Sequence, residues 1–303
     1  MTRVADVTAA VASFEHPEGL MRCVKSLLGS NVLPSQLVVV DQSRDDRVAR
    51  ILASIPSGVV PLAYIRQSRR GLSASRNTAL REATSPVVAF TDDDCVPAGN
   101  WIEVSECLLT LDEPIAALSG RVLPLGADLP GTFAVSLRES TKRREFTGRA
   151  VPWEAGTGGN FIGKRDWLTR VGGFDERLGA GTPGKAAEDA ELIYRLLRAG
   201  ATVRYEPDAI VYHERQSRAQ RISSRASYGF GIGSFCGLWL GRGDLYMVPL
   251  FATWAGRQCR SLARAARQGD WFGVKQRALG LRGGAGGLCH GLAISRRKAA
   301  AIF

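Results

Sequence analysis

Histidine is scarce in this chain, three residues in 303. Uninterrupted apolar runs are short. No window reaches the roughly 18 residues that a simple membrane-spanning helix needs. The N-terminus, Met1-Thr2-Arg3-Val4-Ala5-Asp6, lacks the long apolar core of a secretory leader. None of the six cysteines (Cys23, Cys95, Cys107, Cys236, Cys259, Cys289) forms a CxxC pair, and their spacing has no framework character. That speaks for buried or free thiols in a reducing compartment, against disulfides or zinc. These absences predict a cytoplasmic protein, at most peripheral to the inner face of the cell membrane. A dinucleotide fingerprint is also missing: the glycines of GFGIGSF fall after residue 228 rather than behind the first strand. No repeat with a period of roughly 20–50 residues is visible.

What is present is a globular composition, 45% hydrophobic and 23% charged, which excludes a disordered or fibrous chain. Charge is distributed unevenly. From Arg218 onward there are 14 Lys and Arg against 2 acids, a balance of +12, which leaves residues 1–217 at −1. The pattern predicts a neutral body over 1–217 and a basic helical appendage over 218–303, the latter suited to an anionic partner.

Apolar strands alternate with helical stretches through the first half. Val7–Phe14, Leu37–Val40, Pro61–Arg66 and Pro86–Phe90 read as strands; Pro17–Leu28, Asp45–Ile55 and Ser73–Ala83 read as helices, the last with Ser73 as N-cap. This order predicts an α/β fold with a mostly parallel central sheet flanked by helices. Further on, Trp101–Leu111, Arg165–Val171 and Glu188–Ala199 read as helices, with Gly200 as a stop signal. Gly156–Asn160 reads as a loop. Val203–Tyr205 and Ala209–Tyr212 read as two short strands, and Glu113–Pro152 has mixed character.

Ligands of open α/β sheets sit outside the carboxyl ends of the strands, and two such ends carry acids. Asp41 follows LVVV, and Asp92-Asp93-Asp94 follows VVAF. A lone aspartate there serves a turn or cap as readily as a ligand. Three in a row repel one another unless a cation or several donors compensate. A hard divalent cation beside phosphate oxygens is one solution. Glu188-Asp189 opens a helix, where carboxylates also suit the macrodipole; beside a metal–phosphate site such a group becomes a candidate general base. His213 ends the strand AIVY, and a neutral imidazole is a good ligand for manganese and related ions.

The ordered set VTAAVASF, LVVVDQSRDD, RGLSASRNTALREA, VVAFTDDDCVP, GTGGNFIGKRDWLTRVGGFDERLG, AAEDAELIYRLLRAG and VYHE resembles the family 2 glycosyltransferases of GT-A fold over about residues 4–215. The resemblance implies a nucleotide-diphosphate-sugar transferase whose Asp92 and Asp94 bind Mn2+ or Mg2+, with His213 as a third ligand. It further implies that Asp93 touches ribose or sugar and that Asp41 meets the nucleobase. Arg76 and Asn77 match the family's Arg-Asn pair. Gly159 and Asn160 match the loop that lines the donor sugar, and Asp189 matches the catalytic base, with Glu188 as supporting acid. The first strand ends in Phe14-Glu15-His16 where the family shows Tyr-Asn-Arg, leaving Ser13 and Glu15 as candidate nucleotide contacts. Implied partners are a nucleotide-sugar donor and a glycan or lipid-linked acceptor, with no nucleic acid and with peripheral membrane contact through the tail as one reading of its charge. An ordinary basic subdomain is the other. A non-catalytic sugar-nucleotide binding protein and a metal-dependent nucleotidyltransferase remain alternatives, although the Gly-rich basic loop usual in the latter is absent.

Overall fold

A computed structural model describes residues 3–295 apart from Ser57, Val59, Asp112 and Glu113. The chain opens with β1 (Arg3–Ser13), α1 (Pro17–Leu28), β2 (Val32–Asp41), α2 (Arg47–Ala53), β3 (Leu62–Arg66), α3 (Leu72–Glu82) and β4 (Val87–Asp92). Strands β3, β2, β1 and β4 lie side by side in that order, all parallel. Side chains alternate across a strand, so Val39, Val11 and Ala89 enter one core while Val38, Ala10 and Val88 enter the other. Both faces are covered, which is why these strands are apolar without interruption. The α1 helix has the predicted bounds and buries Leu20, Cys23, Val24 and Leu27. Burying each of its aliphatic side chains is worth about 1.5–3 kcal/mol, well above differences in helix propensity.

The chain continues through β5 (Cys95–Pro97), α4 (Trp101–Glu106), a 3-10 turn (Cys107–Thr110), β6 (Ile115–Pro124), β7 (Thr132–Phe133), β8 (Arg144–Phe146), α5 (Pro152–Ala155), β9 (Phe161–Lys164), α6 (Arg165–Arg170), α7 (Glu188–Arg198) and β10 (Thr202–His213). β9 runs antiparallel between β4 and β6. β10 is parallel to β6, and β5 and β8 pair antiparallel with it. The expected helix-flanked central sheet is thus present, its two parallel parts joined through β9.

Three local expectations differ from what is found. Ser73 lies inside the first turn of α3; the N-cap is Gly71, whose φ of 123° is open to glycine. The two short strands expected between 203 and 212 are one strand, β10, with an irregular register between Glu206 and Ile210. Pro207, which has no N–H for the ladder, falls in that gap. The mixed stretch after Glu113 holds the long strand β6. Its alternation is broken by Gly120, where a Cβ would sit 2.1 Å from the Ala209 carbonyl oxygen.

The fold consists of two compact units. One comprises Met1–Leu129, Ala134–Phe174 and Asp189–Arg215; the other comprises Pro130–Phe133, Asp175–Glu188 and Gln216–Phe303. In the second, β7 pairs with β11 (Gln216–Ser217), and the helices α8 (Arg218–Leu240), α9 (Met247–Arg267) and α10 (Trp271–Ser295) follow. Ser217 and Gln220 form a capping box at the start of α8. The expected helical appendage is therefore present. The glycine-rich stretches of α8 and α10 are its packing seam. Cβ atoms at Gly229, Gly233 and Gly237 would meet Gly280, Gly284 and Leu288 backbone at 2.1–2.2 Å. The two series rise together, so α8 and α10 run parallel with their backbones in contact.

Two neighbouring glycines of α10 separate packing from propensity. A Cβ at Gly287 would lie 2.0 Å from the Phe230 carbonyl oxygen, whereas at Gly286 it would meet only the Phe230 ring at 3.8 Å. Gly287→Ala is expected to destabilise the helical unit by about 1–3 kcal/mol. Gly286→Ala is expected to stabilise it by about 0.5–1 kcal/mol through helix propensity. Denaturant titrations of the two variants check the opposite signs.

Candidate functional site

Three strand ends meet at one edge of the sheet: Ser13 is in register with Asp41, and Ala12 with Asp92. On β10, His213 pairs with Cys95 of β5, which places the imidazole beside the Asp93-Asp94 turn. The acids therefore arrive together because four strands end there.

Each aspartate of the triplet has its own partner. Asp92 Oδ1 accepts from an Arg76 guanidinium nitrogen at 2.7 Å, and Arg76 is buried with its guanidinium 5.5 Å from the Phe174 ring centre. Asp93 Oδ2 accepts from the Ser13 hydroxyl at 2.9 Å and from the Phe14 N–H at 3.0 Å. Asp94 Oδ2 lies 3.6 Å from His213 Nε2. Burial pushes the Asp94 carboxyl upward, and the charges of Asp92 and Asp93 push it further against the pull of His213.

The loop ahead of β9 threads between these groups. A Cβ at Gly158 would fall 2.4 Å from the Arg76 guanidinium, and one at Gly159 would fall 3.1 Å from Asp92 Oδ2 and 3.4 Å from Cys95 Sγ. Thr91 donates to the Gly159 carbonyl at 3.0 Å. The Gly158 N–H donates at 2.8 Å to Asp189 Oδ2, on the first turn of α7, while Asp189 Oδ1 takes the Ala190 N–H. Asp92, Arg76, Gly158 and Asp189 thus form one continuous chain of contacts. Glu188 is buried at the start of α7.

Other expected site residues also bond to the surrounding scaffold. Asn160 is fully buried; its amide donates to the Arg121 and Ala209 carbonyls, and its oxygen accepts from Trp101 Nε1. Asn77 clamps both backbone groups of Phe174, at 2.9 and 2.7 Å. Asp41 is fully buried, with one oxygen on the Ser43 N–H and the other on the Tyr64 hydroxyl at 2.9 Å. Ser13 is buried against Asp93. Glu15 takes a left-handed φ of 53° and sends its carboxylate to Arg44, 3.3 Å away.

Three residues here were not singled out from sequence. Tyr64 holds Asp41, and burial followed by that hydrogen bond pushes its hydroxyl up to about 12. His16 sits between Asp93 and Glu214, 3.7 and 3.6 Å away, and hydrogen bonding to Asp93 raises its pKa. One sequence signal existed: Gly19, where a Cβ would strike the His16 ring at 2.1 Å. Cys95 packs beside Asp94, where burial holds its thiol well above the usual range.

The donor set suits a divalent cation. Ligand atoms of Asp94, Cys95 and His213 lie within 4.8 Å of one another. His213 Nδ1 is 2.9 Å from the Glu214 carbonyl, a contact that orients the ring so that Nε2 faces Asp94. Asp92 stands outside this group, on Arg76.

Comparison with known proteins gives a consistent result. The profile of Glycosyl transferase family 2 matches residues 8–167. The pre-mycofactocin glycosyltransferase of Mycobacterium tuberculosis is 30% identical over 74% of this chain, which spans only 46% of that protein's length. A glucosyl-dolichyl phosphate glucuronosyltransferase of Haloferax volcanii is 26% identical over 69% of this chain and 68% of its own. Among solved structures, the mannosyltransferase PcManGT of Pyrobaculum calidifontis, in complex with GDP-Man and Mn2+, superposes with a TM-score of 0.58 at 18% identity. The match covers 95% of this chain and 88% of that one. The likeness shows the GT-A fold.

Proposed function

Because the chain belongs to glycosyltransferase family 2, we propose that it moves a sugar from a nucleotide-diphosphate-sugar to an acceptor hydroxyl with inversion, using Mn2+ or Mg2+. The observation that carries this reading is the contact chain Asp92–Arg76–Gly158–Asp189 at the carboxyl ends of the strands. Asp94 and His213 Nε2 would hold the cation, which supplies Lewis-acid stabilisation to the charge on a departing diphosphate. The complex of the Pyrobaculum protein with GDP-Man and Mn2+ supports this choice.

Arg76 keeps a fixed positive charge beside Asp92 and under Gly158. The two glycines leave backbone open where a sugar must approach closely. Asp189 takes the proton of the acceptor hydroxyl as that oxygen attacks the anomeric carbon from the face opposite the leaving group. The two N–H groups on its carboxylate fix its orientation beforehand. General-base help of this kind is worth about 100–10,000-fold in rate.

A lipid-linked acceptor fits the surface of the helical unit. No helix of the described residues is long and apolar enough to cross a membrane. On α9, at about 100° per residue, the exposed Val248, Ala252, Ala263 and Ala266 share one strip, and the exposed Arg257, Arg260, Arg264 and Arg267 share the adjacent one. Leu245 and Trp271, at either end, are 73% and 74% exposed. An apolar strip bordered by arginines suits the plane of an anionic bilayer surface, at about 1 kcal/mol for each basic residue near it.

Incubation with a panel of nucleotide-sugars and Mn2+, scored by released nucleoside diphosphate, identifies the donor. With that donor, Asp94→Ala is expected to abolish Mn-dependent nucleoside diphosphate binding by calorimetry. Asp189→Asn is expected to keep that binding and lose at least 100-fold in transfer. Near-normal transfer by Asp189→Asn removes the base from that residue.

For the membrane contact, flotation with anionic vesicles is expected to carry the full chain at low salt and release it at high salt. Replacing Arg257, Arg260 and Arg264 by Gln together is expected to leave the chain at the bottom of the gradient. Equal flotation of that variant makes the tail a structural subdomain only.

A further inference from the structure

Cys95 is buried, and a buried thiol ordinarily behaves as a small apolar side chain. Packing accounts for its burial but not for what its sulfur faces. The thiol donates to Asp94 Oδ1 at 3.6 Å, and the other Asp94 oxygen lies 3.6 Å from His213 Nε2. Ligand atoms of Asp94, Cys95 and His213 all fall within 4.8 Å of one another.

The backbone fixes this arrangement. Cys95 of β5 and His213 of β10 stand directly opposite each other in an antiparallel pair. Their side chains therefore leave the same face of the ladder, with Cβ atoms about 5 Å apart. Asp94 is the neighbour of Cys95 in the turn before β5. Gly159 borders the group from the loop ahead of β9: a Cβ there would lie 3.4 Å from the Cys95 sulfur and 3.1 Å from Asp92 Oδ2. The sulfur and the Asp92 carboxylate thus edge the same space beside that glycine.

These separations suit a metal that bonds to sulfur. Around a tetrahedral Zn2+, a sulfur at about 2.3 Å and an oxygen or nitrogen at about 2.0–2.2 Å lie about 3.4–3.6 Å apart. Asp94 has close to that spacing to the thiol and to Nε2. Three protein donors with a fourth position left open is a recurrent zinc arrangement. Mn2+ and Mg2+ are hard cations suited to carboxylate and water, whereas thiolate selects zinc and its softer relatives. A thiol that coordinates such a metal gives up its proton.

We propose that Cys95 is a metal ligand, and that with Asp94 and His213 it forms a three-donor site for a thiophilic divalent cation such as Zn2+. The inference rests on the reading of a cation at Asp94 and His213 and adds the sulfur to it. As the sulfur–metal bond forms, the S–H bond breaks and its proton leaves to solvent. The site then has two exclusive occupancies: hard cations on oxygen and nitrogen alone, and softer cations that also take the sulfur. Because both use Asp94 and His213, zinc competes with Mn2+ or Mg2+.

The test uses the full chain freed of metal with EDTA and then desalted. Co2+ serves as the spectroscopic probe for Zn2+, since thiolate on Co2+ gives a near-ultraviolet charge-transfer band that oxygen and nitrogen ligands do not. A single equivalent of Co2+ is expected to saturate such a band, and Zn2+ to abolish it. The band is expected to persist when the exposed Cys107, Cys259 and Cys289 are replaced together by Ser, and to vanish in Cys95→Ser. If Cys95→Ser fails to fold, Cys95→Ala carries the comparison. Zn2+ affinity, read against a chromophoric chelator, is expected to fall at least tenfold in the Cys95 variant. Mn2+ affinity, read from the paramagnetic resonance of the free ion, is expected to match the parent. In the parent, Zn2+ is expected to release bound Mn2+. A sulfur band retained without Cys95, or Zn2+ that binds while Mn2+ stays in place, overturns the inference. If Mn2+ binds and Co2+ gives no sulfur band, the inference alone fails. If neither cation binds, the reading of a metal at Asp94 and His213 fails with it.

Discussion

Three consecutive carboxylates at the end of one strand repel one another, and the edge of the sheet is organised around keeping them there. Each takes a different partner from a different element: Arg76 on α3 for Asp92, the end of β1 for Asp93, and His213 at the end of β10 for Asp94. Divided in this way, the repulsion becomes a set of charge-assisted contacts between elements far apart in sequence. Asp94 shows that the division is incomplete, because burial and its two neighbours still raise its pKa against the pull of His213. The remaining deficit of positive charge lies where Asp94 and His213 Nε2 face each other, which is where the proposed cation would sit.

The same crowding accounts for the glycines. Arg76 and Asp92 occupy the space above β4, and the loop before β9 passes over them only as backbone. Gly158 lies on the guanidinium and Gly159 beside the carboxylate. Asn160, next in line, turns inward and fastens the loop to Arg121, Ala209 and Trp101. The Gly158 N–H, held by this path, then reaches Asp189 on α7. The position of the candidate base is therefore linked to the aspartate triplet through packing, with no direct contact between the acids.

Much of this was legible in the sequence. The apolar runs placed β1, β2 and β4, and the acids at their ends marked the site edge, because a strand buried on both faces leaves few places for charge. Residue type was less informative than position. Asn77 and Asn160 could serve in any loop or helix start, and their amides bond to backbone that only the folded chain brings near. Tyr64 and His16 escaped notice for the same reason: the Tyr64–Asp41 bond crosses two strands, and His16 meets Asp93 across the β1–β4 edge. Gly19 and Gly120 recorded such close approaches, but a glycine does not name the atom that displaced its side chain. The merging of two expected strands into β10 has a similar cause, since Pro207 interrupts the pattern while neighbouring β6 continues the pairing.

The two units meet opposite electrostatic problems by different means. In the first, whose net charge is close to zero, the local cluster of acids at the strand ends is answered from within, by Arg76, by backbone N–H groups and by His213. In the second, the excess is positive and local carboxylates are few: 216–303 holds two, both already committed to helix starts or turns. Backbone contact between parallel helices requires glycine along the shared face. Exposed arginines on α9 are screened by water and salt; those beside the seam are partly shielded from both.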